Sequence, residues 1–360
     1  MQKASSGKSR EQQYKFKMLL MIGVSLDSRG IAASIIVVVV IGVIVLVAGF
    51  GYFFITQKHE ATENAPPGPH PENQPSENQI ENALPENVGL NFTADSGTRI
   101  TGGSVPCMVQ LPSGVYRLFY TYNGEIYSAS STDGLNFTVD PSKRVTKGGT
   151  TDPDRDSAGN PVLIQFGENS FVLFYEGASE STRVVLSATS TDGLNFTKQS
   201  GIRYSGTSAD GGIVSAFDII KESETLLRMY YVGDWLGKNN IRTAVSTNGG
   251  NTWTFERGNI CGDDNVGGGP NTYVDPDIMK LPSGGYKLYV KKGADKIYSF
   301  SSTDGLTFTQ DGGVRLQASQ FSSLGVTQLL DPDTFVFADG SMRMFLGAME
   351  KGIVSASATA

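Results

Sequence analysis

Carboxylate side chains are the residues of this sequence whose spacing suggests chemistry. Two Asp-Pro-Asp segments each place two aspartates on one face of an extended strand, about 6.5–7 Å apart. A further aspartate holds the matching place in an earlier segment of similar pattern. Paired carboxylates at such separations can cleave glycosidic bonds, one protonated as an acid and one ionised as a base or nucleophile. The candidate catalytic residues are Asp218, Asp277 and Asp333, with Asp275 and Asp331 as alternates.

Two other interpretations of these aspartates stay open. Asp-Pro is common where a turn begins, and the carboxylates would then accept hydrogen bonds from backbone N–H groups. Alternatively, a hard cation such as calcium would bind the carboxylate oxygens, and residues 262–268 (Gly-Asp-Asp-Asn-Val-Gly-Gly) form a second candidate calcium loop. No other cofactor is expected.

Histidine-based chemistry is excluded from most of the chain. The two histidines, His59 and His70, lie in one polar segment before residue 88. Residues 88–360 therefore have no imidazole for a Ser-His-Asp triad or a histidine-zinc site. The net charge of −7 argues against a nucleic-acid partner.

A repeated motif organises the region that carries the aspartates. Residues 131–138 (Ser-Thr-Asp-Gly-Leu-Asn-Phe-Thr) return almost unchanged at 190–197 and 302–309, and in altered form at 246–253. The motif follows an alternating strand pattern, and its Asp-Gly or Asn-Gly supplies the positive φ of a tight hairpin turn. Each copy therefore predicts a hairpin with a buried aromatic on its returning strand.

The spacing of the motif predicts an all-β, five-bladed β-propeller. Its copies recur at intervals of 59, 56 and 56 residues, which suits one four-stranded blade. A second strand pair precedes each hairpin and occurs five times, with the candidate aspartates on its first strand, which should line the central channel. The fifth blade lacks its outer strand at the C-terminus, while residues 88–93 supply a matching strand with no partner. We expect these two ends to pair and close the ring.

The N-terminal residues predict a membrane anchor. Residues 1–29 form a basic tail, and residues 30–55 contain no charged side chain and are long enough to cross a bilayer as a helix. The excess of Lys and Arg before this run places the N-terminus in the cytoplasm and the propeller outside the cell membrane. Residues 56–87, rich in Pro, Glu and Asn, should form a disordered stalk that leads to the propeller at 88–360.

An extracytoplasmic location would permit N-glycosylation and a disulfide bond. Asn91, Asn136 and Asn195 match the glycosylation sequon, although the repeat alone would create these triplets. Cys107 and Cys261 could form a disulfide, but they belong to blades that are not neighbours. Two separate thiols are the alternative.

The region 88–360 resembles the five-bladed propeller glycosidases of families 43, 32 and 130. The resemblance rests on Asp-Pro-Asp-Ile followed by Tyr-Lys-Leu-Tyr, on Phe-Tyr-Glu-Gly at 174–177 and on the repeated turn motif. It implies acids on the inner strands of three consecutive blades, here Asp218, Asp277 and Asp333. Those enzymes typically add a glutamate as general acid. No inner-strand glutamate matches, whereas Glu176 lies in the Tyr-Glu-Gly element of a second strand.

The altered turn at 246–253 also resembles the Asp-box of sialidases, where that turn is structural. The sialidase arginine triad has no counterpart on the inner strands, since Arg117, Arg228 and Arg343 fall on second strands. The sequence thus favours a membrane-anchored, extracytoplasmic, glycosidase-like propeller that binds carbohydrate and is a candidate to hydrolyse it. The alternative is a non-catalytic cell-surface module that binds a glycan or a protein, or forms part of the envelope.

Overall fold

The computed structural model describes residues 91–208, 212–235, 238–261, 272–281 and 284–358. The predicted tail, transmembrane helix and stalk at 1–29, 30–55 and 56–87 lie outside the described residues. Within the described ranges, no helix combines the length and apolar character needed to span a bilayer.

Five antiparallel sheets, one for each predicted blade, make up the described structure. The first three contain β2–β5 (Ser104–Gln110, Tyr116–Tyr122, Glu125–Ser131, Thr138–Val139), β6–β9 (Ser157–Gly167, Ser170–Ser179, Thr182–Ser190, Thr197–Lys198) and β10–β13 (Ser215–Lys221, Leu227–Trp235, Lys238–Ser246, Thr254–Arg257). The fourth contains β14–β18 (Tyr273–Lys280, Tyr286–Lys292, Lys296–Ser302, Thr309–Gln310, Leu316–Gln317), which a short 3-10 helix, Ala318–Leu324, follows. The fifth contains β19–β21 (Leu329–Val336, Met342–Ala348, Gly352–Ala358) and β1 (Phe92–Ala94). The all-β five-bladed propeller is therefore confirmed.

The outer strand of blade 5 comes from the start of the propeller. β1 pairs antiparallel with β21, so that Phe92 lies opposite Ala358 and Ala94 opposite Ala356. This pairing covers the edge that β21 would otherwise expose to solvent and to other chains. The expected closure of the ring is confirmed, with its strand at Phe92–Ala94.

The repeated turns are held by their serine and aspartate side chains. The N–H of Gly134 donates to Ser131 Oγ (2.9 Å), and the N–H groups of Leu135 and Asn136 donate to Asp133 Oδ1 (2.9 and 2.8 Å). These backbone donors, that of Asn136 first, hold the pKa of Asp133 well below its usual range. The turns at Asp192 and Asp304 repeat the arrangement.

An aromatic side chain from each outer region packs edge-on against the neighbouring blade. Phe137, on the return from the first turn, meets Phe345 of blade 5 at 5.9 Å between ring centroids, with the planes at 83°. The other four seams between blades use the same T-shaped contact, with centroid distances of 5.8–6.1 Å, in the pairs Phe119–Phe196, Phe174–Trp253, Tyr230–Phe308 and Phe92–Tyr289. Edge-to-face pairs contribute about 0.5–1.5 kcal/mol beyond the burial of their area. The predicted buried aromatic is thus the contact that joins consecutive blades.

We expect Asp192→Ala to lower the free energy of unfolding by about 1–3 kcal/mol, because two backbone N–H groups lose their charged acceptor. Asp192→Asn is the matched control, since Asn248 already serves in the third turn and accepts from Thr252 N–H. Urea unfolding of both variants measures the difference. Equal losses in the two variants would show that the charge, and not the accepting oxygen, holds the turn.

Candidate functional site

All five inner strands contain a β-bulge at the same position, which in blades 4 and 5 is the first aspartate of the Asp-Pro-Asp segment. The residues Val105, Asn160, Ala216, Asp275 and Asp331 have φ between 45° and 54°, and the pairing register shifts across each of them. Four of the five precede proline, which normally favours an extended conformation. Strained backbone of this kind costs about 1–3 kcal/mol per residue and persists where the surrounding structure enforces it.

The bulge separates the two aspartates of each Asp-Pro-Asp segment. Sequence reasoning placed Asp275 beside Asp277 on one strand face, and this was wrong because the intervening positive φ breaks the two-residue alternation. Asp277 instead interacts with Asp218, and Asp275 with Asp331 and Lys291. The carboxylates therefore associate across blades, in two groups.

The first group is the axial acids, Asp218, Asp277 and Asp333, which reach from one inner strand to the next. The N–H of Ile278 in blade 4 donates to Asp218 Oδ2 at 2.8 Å. The N–H of Met108 in blade 1 donates to Asp333 Oδ2 at 2.7 Å. In each case the donor follows the residue that occupies the equivalent position in the next blade, Asp277 for Asp218 and Cys107 for Asp333. These aspartates therefore accept hydrogen bonds from N–H groups on the otherwise unpaired edge of the next inner strand.

Blades 1 and 2 have no aspartate at the position of the axial acids, and their contacts with the next blade differ. Val162 of blade 2 has no acceptor to offer to Ile219 N–H of blade 3, and Asp218 Oδ1 accepts that hydrogen bond instead at 2.7 Å. Cys107 of blade 1 faces Leu163 N–H, which partly offsets the rise that burial causes in the thiol pKa. The backbone-capping interpretation of the sequence therefore describes these contacts.

Burial raises the pKa of all three axial acids. It raises the pKa of Asp218 to about 6 and that of Asp277 to about 8, the nearby Asp218 adding to the effect at Asp277. The pKa of Asp333 also lies well above its usual range, from burial and then from Asp277. Asp277 is 4% exposed, and its buried Oδ2 has no hydrogen-bond partner. A protonated carboxyl at this place avoids a second buried negative charge.

The second group is the mouth acids, Glu176, Asp275 and Asp331, at the end of the ring where the inner strands begin. Lys291 Nζ lies 3.7 Å from Asp275 Oδ2, which also accepts from the N–H of Asp331 at 3.3 Å. Burial raises the pKa of Asp275, and Lys291 opposes the rise. The pKa of Asp331 is raised well above its usual range by burial, then by Asp275, and Glu176 adds to the effect.

Glu176 reaches the mouth from β7, the second strand of blade 2. Its Oε1 accepts a hydrogen bond from the Arg183 guanidinium. Its Oε2 accepts one from the N–H of Ala216, the bulged residue of blade 3, at 3.2 Å. This glutamate takes part in the site although it is absent from every inner strand. The Tyr-Glu-Gly sequence was the signal that could have identified it.

The space on the axis is small. A cavity of about 30 Å³ is lined by the bulged residues, the prolines and by Cys107, Asp218 and Asp333. That volume suits about one water molecule, since small-molecule sites usually measure about 300–1,000 Å³. The axial cavity is therefore too small for a sugar ring.

The sequence also suggested a calcium site, a disulfide and glycosylated asparagines. Within the described ranges, no group of three or more His, Cys, Asp or Glu side chains is placed to share a metal ion, and residues 262–268 lie outside those ranges. Cys107 and Cys261, both described, form no disulfide with each other. The amides of Asn136 and Asn195 are exposed but donate to the turn aspartates Asp133 and Asp192 at 2.8 and 2.7 Å. These asparagines therefore have a structural use that needs no glycan.

The raised pKa of Asp277 gives stability a specific pH dependence. Its folded value of about 8 exceeds the value of about 3.9 in an unfolded chain. The group therefore contributes stability fully below about pH 4, and the contribution is lost as pH rises through 8. We expect Asp277→Asn to reduce the loss of stability between about pH 5 and pH 8, measured by urea unfolding.

Asp133→Asn is the control for this titration. The pKa of Asp133 is lowered, so its contribution is present above the unfolded value and is lost only as pH falls below about 4. The slope between pH 5 and pH 8 should not change in this variant. Identical slopes for wild type and Asp277→Asn would mean that Asp277 ionises normally.

Comparisons with known proteins bear on the fold. No protein-family model and no curated protein matches the sequence. Among solved structures, an endo-arabinase from Bacteroides thetaiotaomicron is 13% identical, with 75% of this chain and 96% of that chain covered and a TM-score of 0.56. A family-117 glycoside hydrolase from Zobellia galactanivorans is 14% identical, with 75% and 91% covered and a TM-score of 0.52.

A third structure represents family 130, mannoside phosphorylases that include hydrolases acting on beta-1,2 mannosidic linkages in Candida mannan. It is 15% identical, with 77% of this chain and 96% of that chain covered and a TM-score of 0.58. Similarity at these identities concerns backbone architecture, and it agrees with the resemblance found in the sequence. The chain therefore has the five-bladed propeller fold shared by these glycoside hydrolases.

Proposed function

We propose that this propeller binds carbohydrate over its mouth and cleaves a glycosidic bond there with Asp331 and Asp275. The observation that carries the proposal is the pairing of two carboxyl groups in different electrostatic surroundings. Burial raises the pKa of both groups, and that of Asp331 lies well above its usual range with Asp275 adding to the effect, whereas Lys291, 3.7 Å from Asp275, opposes the rise at Asp275. Carboxyl pairs whose pKa values are pushed apart can act as acid and base.

The roles follow from these surroundings. Asp331 would donate its proton to the departing glycosidic oxygen, and Asp275 would act as the nucleophile or as the base toward water. Glu176 would be the neighbour that keeps Asp331 protonated, because its charge raises the pKa of that group. The axial acids suit this chemistry less well, since Asp218 and Asp333 accept backbone hydrogen bonds of 2.7–2.8 Å, whereas the one that Asp275 accepts measures 3.3 Å.

A non-catalytic recognition module is the second candidate function. The small axial cavity and the structural contacts of the axial acids favour it. A surface module of this kind would bind a glycan or a protein without turning it over.

An activity screen of the full-length chain on aryl glycosides and oligosaccharides separates these functions. We expect turnover to fall by at least about 100-fold in Asp331→Asn and in Asp275→Asn, because each loses one proton-transfer role. Asp277→Asn, at the axis, should retain turnover. Loss only in Asp277→Asn and Asp218→Asn would return catalysis to the axial acids, and binding without turnover would favour the recognition module.

We also propose that residues 30–55 anchor the chain in the cell membrane with the propeller outside. The proposal rests on the uncharged run and on the excess of basic residues before it. In a Cys261→Ser background, a membrane-impermeant maleimide applied to intact cells should label Ser76→Cys and leave Ser5→Cys unlabelled. The reverse pattern would contradict the orientation, and recovery of the chain in the soluble fraction would contradict the anchor.

A further inference from the structure

Blade 2 lacks an ion pair that the other four blades share. In those blades a basic residue of the second strand meets an acid at or just after the outer strand. The pairs are Arg117–Asp140, Arg228–Glu256 (2.9 Å), Lys287–Asp311 (3.2 Å) and Arg343–Asp95 (3.1 Å). Blade 2 has Val172 and Gln199 at these two places. The equivalence is fixed by the backbone, because Gln199 N–H donates to Ser187 O just as Asp140 N–H donates to Ser128 O.

The seam between blades 2 and 3 also lacks an arginine contact. At two other seams the arginine that follows the outer strand donates to the leucine carbonyl of the next turn. Arg99 reaches Leu135 O at 2.9 Å, and Arg144 reaches Leu194 O at 2.7 Å. Arg203 holds the same place after blade 2 but donates to Ser187 Oγ (2.9 Å) and Ser200 O (2.7 Å).

The turn that faces Arg203 is itself different. Gly250 N–H donates to Ser246 Oγ four residues earlier, whereas Gly134 N–H donates to Ser131 Oγ three residues earlier. The turn is therefore one residue longer, and Asn251 stands where the other turns have leucine. A polar side chain replaces an apolar one at the seam.

The longer turn also stands away from the preceding inner strand. A Cβ on Gly134 would lie 2.5 Å from Phe337, and one on Gly193 would lie 2.8 Å from Leu111. In the third turn, a Cβ on Gly249 would lie 3.7 Å from Phe166, the matching apolar residue of blade 2, whereas a Cβ on Gly250 would overlap the Phe174 ring. The longer turn thus packs its second glycine against Phe174 and leaves space only between its first glycine and Phe166.

These departures surround one cavity of about 310 Å³, which we name the seam pocket. Val172, Gln199, Arg203, Asn251 and the Phe166 ring all line it. Its apolar lining is Phe166, Val172 and Phe174, and its polar lining includes the amide, guanidinium and carboxylate residues Asn251, Arg203 and Glu224. Lys221 Nζ lies 5.1 Å from the centroid of the Phe166 ring and holds this aromatic at the pocket edge.

We propose that the seam pocket is a saccharide-binding site that accommodates one neutral sugar residue. Its volume falls within the range of small-ligand sites, about 300–1,000 Å³. A sugar ring has both apolar C–H groups and polar hydroxyl groups, which match a lining that is partly apolar and partly polar, and the polar lining carries both a cation and an anion. The pocket lies at the ends of the inner strands opposite the mouth, and the proposal does not rest on catalysis by the mouth acids.

Calorimetric titration of the full-length chain tests the proposal. The probes are methyl β-mannopyranoside, methyl β-xylopyranoside, methyl α-arabinofuranoside and the corresponding linear oligosaccharides. We expect Asn251→Leu, which restores the leucine of the other turns, and Phe166→Ala each to raise the Kd by at least about tenfold. Phe337→Ala is the matched control at a closed seam and should leave the Kd unchanged.

A second variant protects the test against a folding defect. Val172→Arg combined with Gln199→Asp restores the ion pair of the other four blades, fills the pocket and should abolish binding while it preserves the thermal midpoint. Asp331→Asn and Asp275→Asn should leave this binding unchanged, even if they abolish turnover.

Three results would overturn the proposal. They are the absence of binding for every saccharide tested, a Kd and a stoichiometry that are unchanged in both the Asn251→Leu protein and the double variant, and binding that only the mouth substitutions remove. The last result would place the sugar at the mouth and would leave the proposed function intact.

Discussion

The ring depends on hydrogen bonds made at its inner edge. An inner strand has a sheet neighbour on one side only, so its other backbone N–H groups need acceptors from elsewhere. Asp218 and Asp333 supply these acceptors from the preceding blade, at 2.8 and 2.7 Å. The bulge of each inner strand, the raised pKa values and the narrow axial cavity all accompany this arrangement, which brings carboxyl groups together where water is scarce. The aspartates that suggest catalysis therefore also join neighbouring blades at the axis.

Much of the architecture could be predicted because it is encoded locally. Asp133 and Gly134 fix a turn with their own side chain and backbone, and Phe137 follows at the spacing that buries it. The pairing of residues near 92 with the last strand also followed, because the count of strands left one unmatched at each end. Local turn chemistry and repetition were sufficient for these features.

The arrangement of the acids could not be predicted from local pattern. Alternation along a strand would place Asp275 beside Asp277, and only the positive φ of Asp275 separates them. The partners that set the pKa values come from other strands and other blades, as Lys291 of the adjacent strand and Asp331 of blade 5 do for Asp275. Glu176 reaches the site from a second strand, whereas the repeat pattern places the candidate acids on inner strands. Contacts that exist only once the ring has closed carry no signature in a single segment.

The position of β1 determines how the propeller responds to mechanical load. The outer strand of blade 5 is three residues long and is continuous with the ninety residues that precede the described propeller. Tension on that N-terminal segment would act first on the pairing of Phe92–Ala94 with β21, before it reached any other blade. The Phe92–Tyr289 contact and the hydrogen bonds that the Ser355 and Ser357 hydroxyls donate to Asp95 oppose the separation of this strand. The closure of the ring is thus also the point at which a pulled chain would begin to open.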